Sequence, residues 1–572
     1  MKMGRHVFLF ACSFLLFAAS AASATGIVEH TFYVKNLTIS RLCKRHVITA
    51  VNGSYPGPTI RVQEGDTLIV HVINLSPYNM TIHWHGVFQI LSNWADGPSM
   101  ITQCPIQPGS KYTYKFTVTK QVGTLWWHAH VSFLRATVYG ALIIRPRDGH
   151  SYPFPKPYRE VPVLLGELWN ANVVDVQRLA AATGASPNLS DAFTINGWPG
   201  DLYPCSKQQM YELTVLQGKT YLLRIINAAL NSQLFYKIAN HKLTVVAVDS
   251  SYTEPYITDV VVAAPGQTVD VLLTTDQSVG SYYMAARPYA TAVVGGALVP
   301  FANTTTRGVL IYDGCPSQAT PLMPALPAFN DTPTANKFYS GLKALVGAPF
   351  WVPVPRKVDH EMFVTIGLAL APCPANTSCN GPKLSASMNN ESFVEPTGIS
   401  LLQAFYQNVK GVYTTDFPVK PPIKFDYTND TVNNNLPMLF APKSTKVTEL
   451  KFNSTVEIIF QNTNILGPEN HPMHLHGFDF HILAQGFGNY SPITDRKKFN
   501  LINPQIRNTV AVPVGGWAVI RFVANNPGVW ILHCHLDAHL PVGLATAFLV
   551  ENGPTPETIL PPPPADLPQC WR

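Results

Sequence analysis

The chain has 572 residues, of which 13% are charged, and a net charge of +6. That charged share is about half of the ~25% usual for a soluble protein, and no long basic run occurs, which argues against nucleic acid as a partner. The 49 prolines and 37 glycines are spread between short apolar runs, a composition that favours short strands joined by turns over long helices.

At the N-terminus, Lys2 and Arg5 precede an apolar run from Val7 to about Phe17, and small residues follow to Ala22-Ser23-Ala24. This is the pattern of a secretory signal peptide, residues 1–24, and the run is too short to span a bilayer. A secreted chain with no membrane anchor after cleavage is expected. Asn-x-Ser/Thr acceptors recur from Asn36 to Asn489, which predicts N-linked glycans. Nine cysteines are present and Cys12 leaves with the signal peptide. An oxidising compartment permits disulfides among the others.

Three stretches then repeat. "GDTLIVHVIN" starts at Gly65, "GKTYLLRIIN" at Gly218 and "STVEIIFQN" at Ser454, each a strand pattern ending on Asn. "GTLWWHAH" from Gly123 matches "GVWILHCH" from Gly528, whereas the middle copy, "GSYYMAA" from Gly280, has no histidine. Three related all-β domains are expected, at 25–147, 160–315 and 420–572 with a C-terminal tail, each a Greek-key sandwich or barrel. The stretch 316–419 matches none of the copies and reads as a linker.

Among the 18 histidines are four His-x-His pairs, His83/His85, His128/His130, His474/His476 and His533/His535. Chance predicts about half of one such pair. Successive strand residues point to opposite faces, so each pair faces one way. Two pairs belong to the first domain and two to the third, and their meeting at an interface would need a metal cluster to satisfy eight imidazoles. Cys534, between His533 and His535, must then face the other way. His539 can reach that side, and so can His471, which is out of step with His474/His476. Two histidines and a thiolate make a blue-copper electron-transfer site, joined to the cluster through a few covalent bonds. The remaining histidines, such as His71 and His241, read as satisfied surface or core residues, and Trp126 and Trp127 as core.

Together, "HWHG", "WWHAH", "HPMHLHG" and "HCHLDAHLPVGL" resemble the four copper motifs of multicopper oxidases over nearly the whole mature chain. "QCPIQPG", "RNTVAVPVGGWAVIRF" and "NNPGVWILHCHLDAHL" are most similar to plant laccases. The resemblance implies three cupredoxin-like domains and four copper ions. It implies that His471, Cys534 and His539 hold the blue copper. His83 and His474 would hold the lone copper of a trinuclear cluster, and His85, His128, His130, His476, His533 and His535 its coupled pair. Asp96, in "NWADGPSM", would help deliver protons to oxygen. The axial position falls on Leu544; ascorbate oxidases usually carry Met there, so Leu544 favours laccase. Cys104–Cys570 and Cys43–Cys205 are the implied disulfides. Cys373 and Cys379 are close enough to pair locally, and Cys315 has no partner. Asn503, Asn525, Pro541 and Val542 depart from the plant pattern at positions that are not copper ligands.

The implied activity is one-electron oxidation of phenols such as monolignols, coupled to reduction of O2 to water by a secreted, apoplastic, monomeric glycoprotein acting in lignin formation or turnover. The rivals are an ascorbate oxidase or metal-ion oxidase on the same coppers and, in another class, a copper-less structural cell-surface protein.

Overall fold

The computed structural model describes residues 26–570, apart from 295–296, 317–319, 374–378 and 380. The expected signal peptide, 1–24, lies outside the described residues. The described chain forms three two-sheet sandwiches, each with its own core. Phe32, Val70, Trp84, Trp127 and Leu142 fill the first, Val163, Leu223, Phe235, Val271 and Met284 the second, and Val364, Ile458, Met473, Trp530 and Phe548 the third. Each such fully buried Val, Leu, Ile, Met or Phe contributes about 1.5–3 kcal/mol.

The repeats seen in the sequence are repeats of topology. In the first domain, strand Ile27–Arg41 lies parallel to Thr67–Asn74 and antiparallel to Lys44–Val51. In the second, Arg159–Leu168 lies parallel to Thr220–Asn227 and antiparallel to Ala192–Ile195. In the third, His360–Ala371 lies parallel to Ser454–Asn462 and antiparallel to Lys383–Met388. Parallel neighbours need a crossover rather than a hairpin, so each first strand is distant in sequence from its partner.

That third case corrects the reading of 316–419 as a linker. Two strands of that stretch, His360–Ala371 and Lys383–Met388, enter the sheet of the third domain. The segment from Asn389 to Asn453, rich in Pro and Asn, separates them from the rest of the sheet and hides the copy. Part of it, Ser392–Phe393, pairs with Lys443–Ser444 in a small sheet of its own.

Strand alternation places the motifs. On Gly123–Ala129, Leu125 and Trp127 enter the first core while Trp126 and His128 face away from it. On Gly528–Cys534, Trp530, Leu532 and Cys534 enter the third core, and Val529 and Ile531 join the first. That strand is therefore the wall between the two domains, with His533 on the side of the first and Cys534 on the side of the third.

Candidate metal centres

Strand register brings the histidines together. His83 lies opposite His128 across one antiparallel pair, and His474 lies opposite His533 across another. The two pairs of strands meet face to face. His83 stacks on His476 with ring centres 3.9 Å apart, and His85 stacks on His474 at 3.8 Å. Three groups have ligand atoms within 4.8 Å of one another: His83, His85 and His474; His85, His128 and His535; and His130, His476 and His533. All are buried except His130, which is partly exposed.

Hydrogen bonds fix how each ring points. Nδ1 of His83 donates to the Asp96 carbonyl at 2.8 Å, and that of His128 to the Ala129 carbonyl at 2.9 Å. His474 donates likewise to the Asn508 carbonyl and His533 to the Cys534 carbonyl, both at 2.9 Å. A carbonyl only accepts, so each Nδ1 carries the proton and each Nε2 keeps a lone pair. Nε2 of His83, His128, His130 and His474 has no hydrogen-bond partner among the described residues. His85 is turned the other way. Its Nε2 faces Asn508 Oδ1 at 3.2 Å and Thr509 Oγ1 at 3.3 Å, and its Nδ1 looks at His535 Nε2 at 3.1 Å.

Burial first, and then neighbouring imidazoles and, for His128, Arg135, hold His85, His128, His474 and His476 well below the usual histidine range and His533 at about 3. Protonation therefore does not satisfy the converging lone pairs. Buried polar atoms without partners are costly, and a cluster of cations at this point removes the cost.

Asp96 is fully buried, and its Oδ2 accepts from His476 Nδ1 at 2.9 Å. Asp96 Oδ1 lies 3.3 Å from His83 Nδ1. That proton is committed to the nearer backbone carbonyl, which leaves Oδ1 without a hydrogen bond. Asp96 is thus more than the turn residue that Asp-Gly chemistry alone would make it.

The second centre lies across the strand. Cys534 Sγ is 3.6 Å from Nδ1 of His471 and 3.6 Å from Nδ1 of His539, and all three residues are buried. One thiolate and two imidazoles are the donor set of a blue-copper site. Leu544 is fully buried in the same core as Cys534, and its carbonyl accepts the Cys534 N–H at 3.0 Å. His539 Nε2 meets Glu469 Oε1 at 3.1 Å. Burial opposes the charge on His539, but Glu469 and the Cys534 sulfur push it up to about 10. Burial would likewise raise Glu469, yet the facing His539 holds it below the usual carboxylate range.

Several residues at the centres carry no signal in the sequence. Glu469 is one. Arg135 is another: it is buried, and its Nη1 lies 2.9 Å from His535 Nδ1 and 3.3 Å from Asp537 Oδ1. Asn508 and Thr509 stand in the stretch most similar to plant laccases, but their bonds to His85 could not be read from it. Trp126 is not plain core, because its ring lies 4.3 Å from His128 and 5.2 Å from His85. A cavity of about 350 Å3 reaches His128 and His130, lined also by Arg135, Phe393, Asp537 and Val542. The departure at Val542 therefore falls on the approach to the histidine cluster.

Comparison with known proteins gives the same reading. Family profiles described as multicopper oxidase match residues 33–149, 159–315 and 416–554. Laccase-7 of Arabidopsis thaliana is 65% identical, covering 98% of this chain and 99% of its own. The chain belongs to the multicopper oxidases, in their plant laccase branch. Laccase-25 of Oryza sativa subsp. japonica is 55% identical, over 98% of this chain and 99% of its own. Among solved structures, the laccase from Botrytis aclada superposes with a TM-score of 0.73 at 28% identity, covering 94% of this chain and 89% of that one. Fet3p, described as a multicopper oxidase that functions in iron import, shares the fold with a TM-score of 0.72 at 22% identity, covering 92% and 90%. In a multicopper oxidase the cation called for by both centres is copper. The disulfides are Cys43–Cys205, Cys104–Cys570 and Cys373–Cys379, and Cys315 is in none of them.

Proposed function

We propose that this multicopper oxidase is a laccase that takes one electron at a time from phenols and passes four to dioxygen, giving water. Bound copper would supply the redox chemistry, a mononuclear ion for the one-electron oxidation of the phenol and a trinuclear cluster for the reduction of O2. The residues of the chain do the rest. His471, Cys534 and His539 hold the blue copper, and burial of all three excludes water from it. His83 and His474 hold the lone ion of the cluster. His85, His128 and His535 hold one ion of its pair, and His130, His476 and His533 the other, a division supported by the way their ligand atoms group. The Nδ1 bonds to carbonyls fix each ring before metal arrives. Asp96, bonded to His476 through one oxygen and without a hydrogen bond at the other, stands beside the cluster where it would relay protons toward dioxygen.

The observation that carries this reading is the placement of Cys534. It enters the third core while His533 and His535 face the first domain, so the backbone of one strand would join a metal held at its sulfur to the cluster. The test is Cys534→Ser. The parent should hold four coppers per chain and be blue. The variant should lose the blue band and phenol oxidation while the histidine cluster still loads. A variant that keeps oxidase turnover overturns the division of roles.

The natural setting proposed is the cell wall, where phenoxyl radicals couple after release, with lignin formation or turnover as the outcome. N-glycans are proposed on exposed acceptors such as Asn36, Asn188 and Asn303. Asn74 is buried and donates its amide to the Tyr78 and Ile106 carbonyls, so that acceptor stays bare in the folded chain. Kinetics on monolignols, ascorbate and Fe(II) separate laccase from its rivals.

A further inference from the structure

Each domain ends one long strand on the repeated asparagine, and each asparagine clamps the loop that follows. Asn74 donates to the carbonyls of Tyr78 and Ile106 at 2.8 and 2.9 Å. Asn462 donates to those of Glu469 and Pro513 at 2.6 and 3.1 Å. Asn227 donates to those of Ser232 and Ala263 at 3.0 and 2.7 Å. In the first and third domains the next strand, Ile82–His85 or His471–Leu475, carries metal-binding imidazoles. In the middle domain it is Gln233–Ile238, which has none.

The loop of the middle domain nevertheless reaches the centres. The Leu230 carbonyl accepts the N–H of Asp537 at 3.0 Å and Arg135 Nη2 at 3.1 Å. Asn231 Oδ1 accepts the N–H of Ala538 at 2.9 Å. The loop is itself held from below by Glu167, which is buried. Glu167 Oε2 accepts from the N–H of Leu230 at 2.7 Å and of Asn231 at 2.8 Å. Its Oε1 accepts from Ser232 Oγ at 3.0 Å and Ser190 Oγ at 3.2 Å. Two consecutive amides of the turn between His535 and His539 are thus fixed by the domain that binds no metal.

We propose that Glu167 and Asn231 are positioning residues for the blue-copper site, holding the turn 536–538 so that His539 meets Cys534 while His535 stays at the cluster. This rests on the assignment of Cys534, His471 and His539 to the blue copper. The turn belongs to no strand, so its own domain fixes it through few bonds, chiefly the His539 N–H to the Leu536 carbonyl at 2.9 Å. A metal site tolerates little slack: a displacement near 1 Å in a supporting segment is enough to degrade it. A buried carboxylate that accepts four hydrogen bonds is a stiff anchor for the loop, and the loop passes that stiffness to the turn.

The main variant is Asn231→Ala, since Asn231 is half-buried and its loss strands no charge. Asn231→Asp keeps the acceptor oxygen and serves as the rescue. In the copper-free protein, Asn231→Ala should speed amide hydrogen exchange at Asp537 and Ala538 at least tenfold. In the loaded protein it should shift the blue-copper electron paramagnetic resonance and visible spectra. It should also lower kcat at unchanged phenol KM and unchanged copper content, and Asn231→Asp should restore both spectra and kcat. Glu167→Ala should move the same readouts further if it folds. A general loss of stability would lower copper content and yield without changing the spectrum of each loaded site. Unchanged exchange at Asp537 and Ala538, or a blue spectrum identical to that of the parent, overturns the proposal. A parent without any blue band would instead overturn the site assignment, and the exchange measurement needs no copper to give its answer.

Discussion

Leu544 packs in the third core and its backbone bonds to Cys534 on one side and to His539 on the other, the Leu544 N–H reaching the His539 carbonyl at 3.1 Å. Two proposed ligands of one metal thus share a neighbour whose side chain offers no donor atom. Leu544→Met should bring a thioether to the axial position, stabilise Cu(II) over Cu(I) and lower the reduction potential. Each fall of about 59 mV weakens a one-electron equilibrium tenfold, so phenols that are hard to oxidise should suffer most. A redox titration of the blue band checks this, and a potential that stays put or rises would remove Leu544 from the axial position. Glu469 acts with the opposite sign. Its carboxylate faces His539 at 3.1 Å, and a negative charge beside a ligand opposes reduction of the metal. Glu469→Gln should raise the potential in the same titration, and an unchanged or lower value would mean that Glu469 turns away once copper is bound.

At the scale of elements, the loop before strand Thr268–Thr274 shows how closely the middle domain approaches the cluster. Gly266 has a φ of +93°, and a Cβ there would lie 3.0 Å from His85 Cε1 and 3.1 Å from His535 Cγ. Gly266→Ala should cost about 1–2 kcal/mol in backbone strain and push both rings aside. The expected result is cluster copper falling to half or less while the blue band persists. Full cluster loading would show that the loop moves freely. The strand faces around this point were legible in the sequence because a period of two leaves no choice: once His533 and His535 face one way, Cys534 faces the other. The first strands of the third domain were not legible. His360–Ala371 is apolar enough to be a strand, but its partner Ser454–Asn462 lies far along the chain, and nothing local marks the pairing. Glu469, Arg135 and the 228–232 loop were hidden for the same reason. Each acts on a segment remote in sequence, and no spacing rule links Glu167 to Ala538.

For the whole molecule, the cluster is a seam as well as a site, because its imidazoles come half from the first domain and half from the third. Burial and neighbouring charge hold His533 of this cluster at about 3, and in the second centre burial with the charge of His539 holds His471 at about 3, against 6.5 for a free histidine. With a folded pKa below the unfolded one, the unfolded chain binds more protons throughout that interval. Stability of the copper-free protein should therefore rise with pH from about 3 to 6.5 and be lost as acid is added across the same window. His539 has the opposite sign. Its pKa is raised to about 10 by Glu469 and Cys534 against the cost of burial, so its contribution is complete below 6.5 and fades as pH climbs through 10. Copper needs the neutral rings, so loading should protect against acid until protons displace the metal. The Cys43–Cys205 and Cys104–Cys570 bridges keep the first domain tied to the second and to the C-terminal tail during this, which should make mild acid opening reversible. Denaturant unfolding of copper-free and loaded protein at a series of pH values decides the matter. A copper-free profile flat between pH 3 and 6.5 would mean that His533 and His471 are not buried neutral.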